Sequence, residues 1–176
     1  MNINFNDYLT EKNLSDYLEY IFPNSNWIHD KCFLNYKFRP DYVEYSLKII
    51  LEFDGPTHYT NPKIILNDYK KEDIIKKEGY KLIRIPFFIQ LDKMTINRLF
   101  KRDVIKGSNY KQGFISKEKT LRLPSEFCEL GVERFKKDLI NFNYLKEDIL
   151  KSLYNRIQEN DLNILEVFPL SMIYNN

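Results

Sequence analysis

Arg39-Pro40-Asp41-Tyr42-Val43 and, after a short polar gap, Lys48-Ile49-Ile50-Leu51-Glu52-Phe53-Asp54-Gly55-Pro56-Thr57-His58 decide how this chain is read. The second run is β-branched and largely apolar, as a central strand is. Gly55-Pro56 stops it. If the two runs form a hairpin turning near Ser46-Leu47, Asp41 and Glu52 stand directly opposite each other. Glu52 and Asp54 are two apart, so both point to that same face. Three carboxylates then converge at one end of a buried hairpin, with His58 just beyond.

Like charges so close repel, and each raises the other's pKa unless a cation lies between them. Oxygen-rich clusters of this kind suit Mg²⁺ or Mn²⁺. Such an ion polarises a phosphoryl oxygen and generates a hydroxide nucleophile, so the chemistry implied is hydrolysis of a phosphodiester. Each acid taken singly has an ordinary alternative. Asp41 could cap a turn, and Glu52 could pair with Lys48 or Arg84. The three together, in a run that otherwise reads as buried, favour a metal site.

Outward from the hairpin, residues 11–22 read as a helix with Thr10 as N-cap and Leu14, Tyr17, Leu18 and Ile21 on one face. Trp27-Ile28-His29 reads as a further strand. A second helix fits residues 66–78, with Gly79 just past its end. Leu82-Ile83-Arg84-Ile85 is another buried strand, closed by Pro86. The order is helix, three strands, helix, strand, an α/β domain. Beyond residue 92 the pattern becomes a short basic helix over 93–105, a loop from Gly107 to Leu123, a helix over 126–141 capped by Ser125, and a helix over 146–159. The expected division is an α/β core over 1–106 and a basic loop with a helical extension over 107–176, packed on the core.

With 176 residues and 43% hydrophobic content the chain can bury a sizeable core. No apolar run is long enough to span a bilayer. The start lacks a basic region and an apolar stretch, and Cys32 and Cys128 lie far apart without metal-ligand spacing. These features predict a cytoplasmic protein with free thiols and no membrane partner.

The net charge of +2 hides an uneven distribution. Residues 1–92 are net −2 and residues 123–176 net −3. Residues 93–122 are net +7, with Lys93, Arg98, Lys101, Arg102, Lys106, Lys111, Lys117, Lys119 and Arg122 against two acids. Phe100, Tyr110 and Phe114 are interleaved with them. Such a segment can track phosphates and stack on bases; a solvated surface loop is the plainer alternative.

The ordered set Arg39-Pro40-Asp41, Glu52-Phe53-Asp54, Gly55, His58, Asp68 and Gly79-Tyr80-Lys81-Leu82-Ile83-Arg84-Ile85-Pro86 resembles the PD-(D/E)XK nuclease superfamily. The closer similarity is to the very-short-patch-repair (Vsr-type) endonucleases. Asp54-Gly55-Pro56-Thr57-His58-Tyr59, with Gly79 through Phe88, is also similar to the RAP domain, a module of RNA-associated proteins. The resemblance covers about residues 10–90. It implies a restriction-endonuclease-like αβββαβ core and a Mg²⁺- or Mn²⁺-dependent DNA endonuclease, a repair-type nickase or small restriction-type enzyme. The alternative it leaves open is an RNA-binding module with weak or no nuclease activity.

Carried over by position, the resemblance makes Asp41 the central metal ligand, with Glu52 and the Phe53 carbonyl completing the shell and Asp54 beside them. His58 would orient or deprotonate water, or protonate the leaving oxygen, and Asp68 would orient His58. Glu19 on the first helix matches loosely an acidic residue that often joins the metal. Arg39 would contact nucleic acid. Asp54 stands where the superfamily has lysine. His58 is the favoured replacement, as in the Vsr-like branch, with Lys71, one turn after Asp68 on the same helix face, as backup.

Overall fold

The computed structural model describes residues 3–115 and 122–170. The architecture is mixed α/β, a four-stranded mixed sheet with helices. Its sheet runs β1 (Ile28–His29), β2 (Tyr42–Glu44), β3 (Ile49–Asp54) and β4 (Lys81–Pro86), in that spatial order. The first two pairings are antiparallel; β3 and β4 are parallel. Helix α1 (Glu11–Ile21) precedes β1, and α2 (Thr57–Thr60) and α3 (Pro62–Lys77) join β3 to β4. After β4 come α4 (Lys93–Phe100), α5 (Glu129–Asn141), α6 (Lys146–Asn160) and α7 (Ile164–Val167). Among the described residues, no helix is long and apolar enough to cross a membrane.

Tyr42 pairs with Leu51 and Val43 with Ile50, the hairpin register expected from the sequence. The paired ladder ends there, and Asp41 and Glu52 are the next residues on its two sides. Side-chain alternation then gives each sheet face its residues. Val43 and Ile50 pack with Phe33 and with Ile75 of α3. Glu52 and Asp54, in phase with Ile50, therefore share the face that α3 covers. Tyr42 and Leu51 take the other face, where the Tyr42 hydroxyl meets Ser15 of α1. The α1 stripe Leu14, Tyr17, Leu18 and Ile21 is buried as expected, and Thr10 caps the helix through a reciprocal bond with Asn13.

Helix α3 begins at Pro62, four residues before the sequence expectation of 66. The signal was Asn61-Pro62. Asn61 Oδ1 accepts from the Lys63 N–H at 3.0 Å, and Pro62 occupies a first-turn position where its missing N–H costs nothing. Gly79, at φ +75°, ends the helix as expected. Its N–H bonds the Lys76 carbonyl and the Tyr80 N–H bonds the Ile75 carbonyl, a closure that favours glycine at this position.

The contacts divide the described chain into two compact units, Met1–Asp54 with Asn67–Tyr110, and Gly55–Leu66 with Lys111–Asn176. The first contains the sheet, α1, α4 and most of α3. The second has an aromatic core in which Phe135 meets Phe114 and Phe127 edge-on and Tyr59 stacks on Phe127. The proposed Ser125 cap is corrected here. Pro124–Glu126 is a 3-10 turn, and α5 starts only at Glu129 with Cys128 as N-cap. Pro124 permits a tight turn, but the Phe127 N–H bonds back to the Pro124 carbonyl and the helix does not propagate.

Candidate functional site

The α3-facing side of the sheet concentrates charge in a place built for apolar residues. Glu52 is 4% exposed, Asp54 1% and Asp68 1%. The face of α3 that presents Ile75 to the apolar cluster carries Asp68 and Lys71 in its earlier turns, because residues three, four and seven apart share a helix face. Helical periodicity thus brings two charged groups over the carboxylate end of the sheet.

Arg84 organises the cluster. It is the parallel-strand partner of Glu52. Its guanidinium binds Asp54 at 2.5 Å and reaches Asp68 at 3.6 Å. The Lys71 ammonium stands 3.9 Å from Asp68 and is about one-quarter exposed. Asp54 and Asp68 therefore stay buried with opposite charge beside them, the condition under which buried carboxylates are tolerated. At the edge of the group, the Phe53 N–H donates to Asp41 Oδ2 at 2.6 Å. This charge-assisted bond fixes the Asp41 carboxylate at the end of the hairpin.

Glu52 differs from these neighbours. Its Oε1 is buried and accepts no hydrogen bond. Burial first, and then the charge of Asp41, push its pKa up from 4.5 to about 7, against the opposing pull of Lys71 and Arg84. A proton or a cation would relieve this site. Carboxylate oxygens on adjacent strands are the donor type that hard divalent ions take, so the residues present fit Mg²⁺ or Mn²⁺.

The other candidates are placed as follows. His58 lies in α2, in the second unit, four residues beyond Asp54 along the chain. There its turn is held by the helical tail. Arg134 donates to the His58 carbonyl at 3.4 Å, the Tyr59 hydroxyl donates to Asp138 at 2.7 Å, and the Cys128 N–H donates to the Tyr59 carbonyl at 3.1 Å. Glu19 does not join the carboxylates. It is exposed on α1, on the opposite side of the sheet, and lines a cleft with Trp27, His29 and Tyr42. Amphipathic spacing showed that Glu19 bordered the apolar face of α1 but could not show which sheet face α1 covers.

Arg39 is exposed and forms an ion pair with Asp30 at 3.7 Å. Lys93, Arg98, Lys101, Arg102 and Lys106 are exposed in the first unit, and Lys111 and Arg122 are exposed in the second. Lys117 and Lys119 lie outside the described residues. The stacking expectation is corrected. Phe100 is buried against Phe22, and Phe114 is fully buried. Both rings belong to the cores, so neither offers a face to a base. Tyr110 packs edge-on against Tyr8.

Arg84 is the site residue that sequence reasoning undervalued. The sequence offers it as a possible partner of Glu52, whereas its ion pairs go to Asp54 and Asp68. Its offset along β4 becomes readable only once the parallel register with β3 is known. No protein-family model, no curated protein and no solved structure matches this chain.

Proposed function

We propose that the carboxylate cluster is a divalent-metal site that hydrolyses phosphodiester bonds in DNA, on a core of the restriction-endonuclease type. The observation that carries this reading is Glu52, a buried carboxylate beside Asp41 with an oxygen that accepts no hydrogen bond. A buried acceptor without a donor is costly, and a cation shared with Asp41 would offset that cost. The element order, helix, three strands, helices, strand, supports the same reading.

Asp41 and Glu52 would hold the ion. When bound, it supplies Lewis-acid polarisation of a phosphoryl oxygen and a more acidic water. The Phe53 N–H keeps the Asp41 carboxylate in one orientation. Lys71, partly exposed beside Asp68, offers an ammonium to the charge that develops on the phosphate. Arg84 is committed to Asp54 and Asp68 and acts as a positioning residue, keeping Asp54 compensated where the resembled superfamily has lysine. His58 is the histidine that the resemblance assigns to the water or the leaving oxygen.

The test is cleavage of plasmid DNA and structured RNA by the full chain, with and without Mg²⁺ or Mn²⁺, beside Asp41→Ala and His58→Ala. The expected outcome is metal-dependent DNA cutting that Asp41→Ala abolishes and His58→Ala reduces at least a hundredfold, the scale of a lost general acid or base. Cutting that survives Asp41→Ala removes the proposed site. Retention of RNA without cutting replaces the reading with the RNA-binding one that Asp54–Tyr59 suggests.

A further inference from the structure

On the sheet face away from the carboxylates, α1 and the β1–β2 edge enclose a cleft of about 850 Å³. That volume lies in the range of small-molecule sites, and nothing in the proposed hydrolysis uses it. Its walls combine three aromatic rings, Trp27, His29 and Tyr42, with the Glu19 carboxylate, the Asn26 amide and the Lys12 ammonium. The cleft thus offers aromatic surface, an amide and a carboxylate acceptor.

We propose that this cleft receives an unstacked guanine. The proposal rests on the nucleic-acid reading above and names a base that the protein would recognise. Aromatic rings give any base a stacking surface; the polar groups select among the bases. A carboxylate accepts two parallel N–H bonds from the Watson–Crick edge of guanine, whose N1–H and N2–H₂ lie side by side. Adenine and cytosine each offer one exocyclic amine beside a ring acceptor, which a carboxylate repels, and thymine offers a single N–H. The O6 acceptor of guanine suits the Asn26 amide on the same wall.

A flanking phosphate would find a cation in Lys12. Lys12 is on the wall itself, and the Arg102 guanidinium lies 5.3 Å over the ring of Phe22, which packs at 5.5 Å against Trp27. A simple organic cation would satisfy Glu19 but would meet the like charge of Lys12 on the same wall. Tyr42 opens β2 directly after Asp41, and neighbouring residues of an extended chain face opposite ways. The cleft and the carboxylates therefore share a strand, and the base read is not that of the nucleotide being cut.

Trp27 is the only tryptophan of the chain, so its fluorescence reports on this cleft alone. The experiment titrates the metal-free full chain with guanosine, adenosine, cytidine, thymidine and methylguanidinium. Fluorescence corrected for nucleoside absorption is read beside calorimetry. The expected result is a saturable response to guanosine, weakened about tenfold to a hundredfold in Glu19→Gln, the scale of one bidentate base contact, and retained in Asp41→Ala. Glu19 is exposed, so its substitution leaves the core intact, and circular dichroism checks this. Equal responses to all four nucleosides, a response to methylguanidinium instead, or no response overturns the proposal. Because the titration needs neither metal nor cleavage, its failure leaves the hydrolytic reading to its own test.

Discussion

Burying Glu52 beside Asp41 ties its proton to folding. The unfolded chain releases that proton near 4.5, whereas the folded protein keeps it until about 7. The contribution of this group to stability is therefore complete below pH 4.5. It declines as pH rises through the interval and is lost above about 7. The gap corresponds to about 3 kcal/mol. Glu52→Gln carries the amide in place of the protonated acid and has nothing to ionise. In metal-free urea unfolding, the variant is expected to gain about 3 kcal/mol on the parent between pH 4.5 and pH 8. Parallel pH profiles for the two proteins would show that Glu52 is not buried against a carboxylate. One step along the same strand face, Asp54 has the Arg84 guanidinium 2.5 Å away. Glu52, whose Oε1 accepts no hydrogen bond, is the acid that a proton or a metal would relieve.

At the scale of elements, α2 and α5 approach so closely that a side chain cannot fit between them. A Cβ placed on Gly131 would lie 1.7 Å from the Tyr59 carbonyl oxygen. The backbone of the His58 turn is the obstacle, and it cannot rotate away as a flexible side chain would. Gly131→Ala is expected to cost about 3 kcal/mol, the upper range for overpacking, and to lower the melting temperature. It should also reduce any cleavage that depends on His58. An unchanged melting temperature would mean that the two helices are not packed as described. This contact was illegible in the sequence, because Gly131 sits inside an ordinary amphipathic run. The elements that were legible share a cause. Thr10, Gly79 and Pro86 are local stop and start signals, and the hairpin register follows from strand alternation, so residues near in sequence settled them. The partner of Arg84, the face covered by α1 and the late start of α5 depend on residues far apart in the chain. The same limit explains the candidate site. Asp41, Glu52 and Asp54 are read together from a single hairpin, whereas the sheet face on which Glu19 lies and the ion pairs of Arg84 with Asp54 and Asp68 depend on distant residues.

At the scale of the whole molecule, charge is sorted rather than balanced. The carboxylates of the sheet are buried or compensated, while Lys93, Arg98, Lys101, Arg102 and Lys106 remain exposed. A net charge of +2 would give little general attraction to DNA; a local basic surface can still release counterions where it meets phosphates. The affinity for duplex DNA should then fall linearly with the logarithm of salt concentration, by about 0.9 per phosphate neutralised. Lys93 opens α4 and Lys101 closes it, both with solvated side chains, so neutralising them leaves the core untouched. Replacing both by Gln is expected to reduce the slope by about 2 and to weaken binding to unrelated sequences alike. Fluorescence anisotropy on two unrelated duplexes, in Ca²⁺ and across a salt series, measures both effects. A slope unchanged by the double substitution would move the phosphate track elsewhere on the surface. A loss confined to one duplex would instead assign these lysines to base recognition, which point charges on flexible stems are poorly shaped to perform.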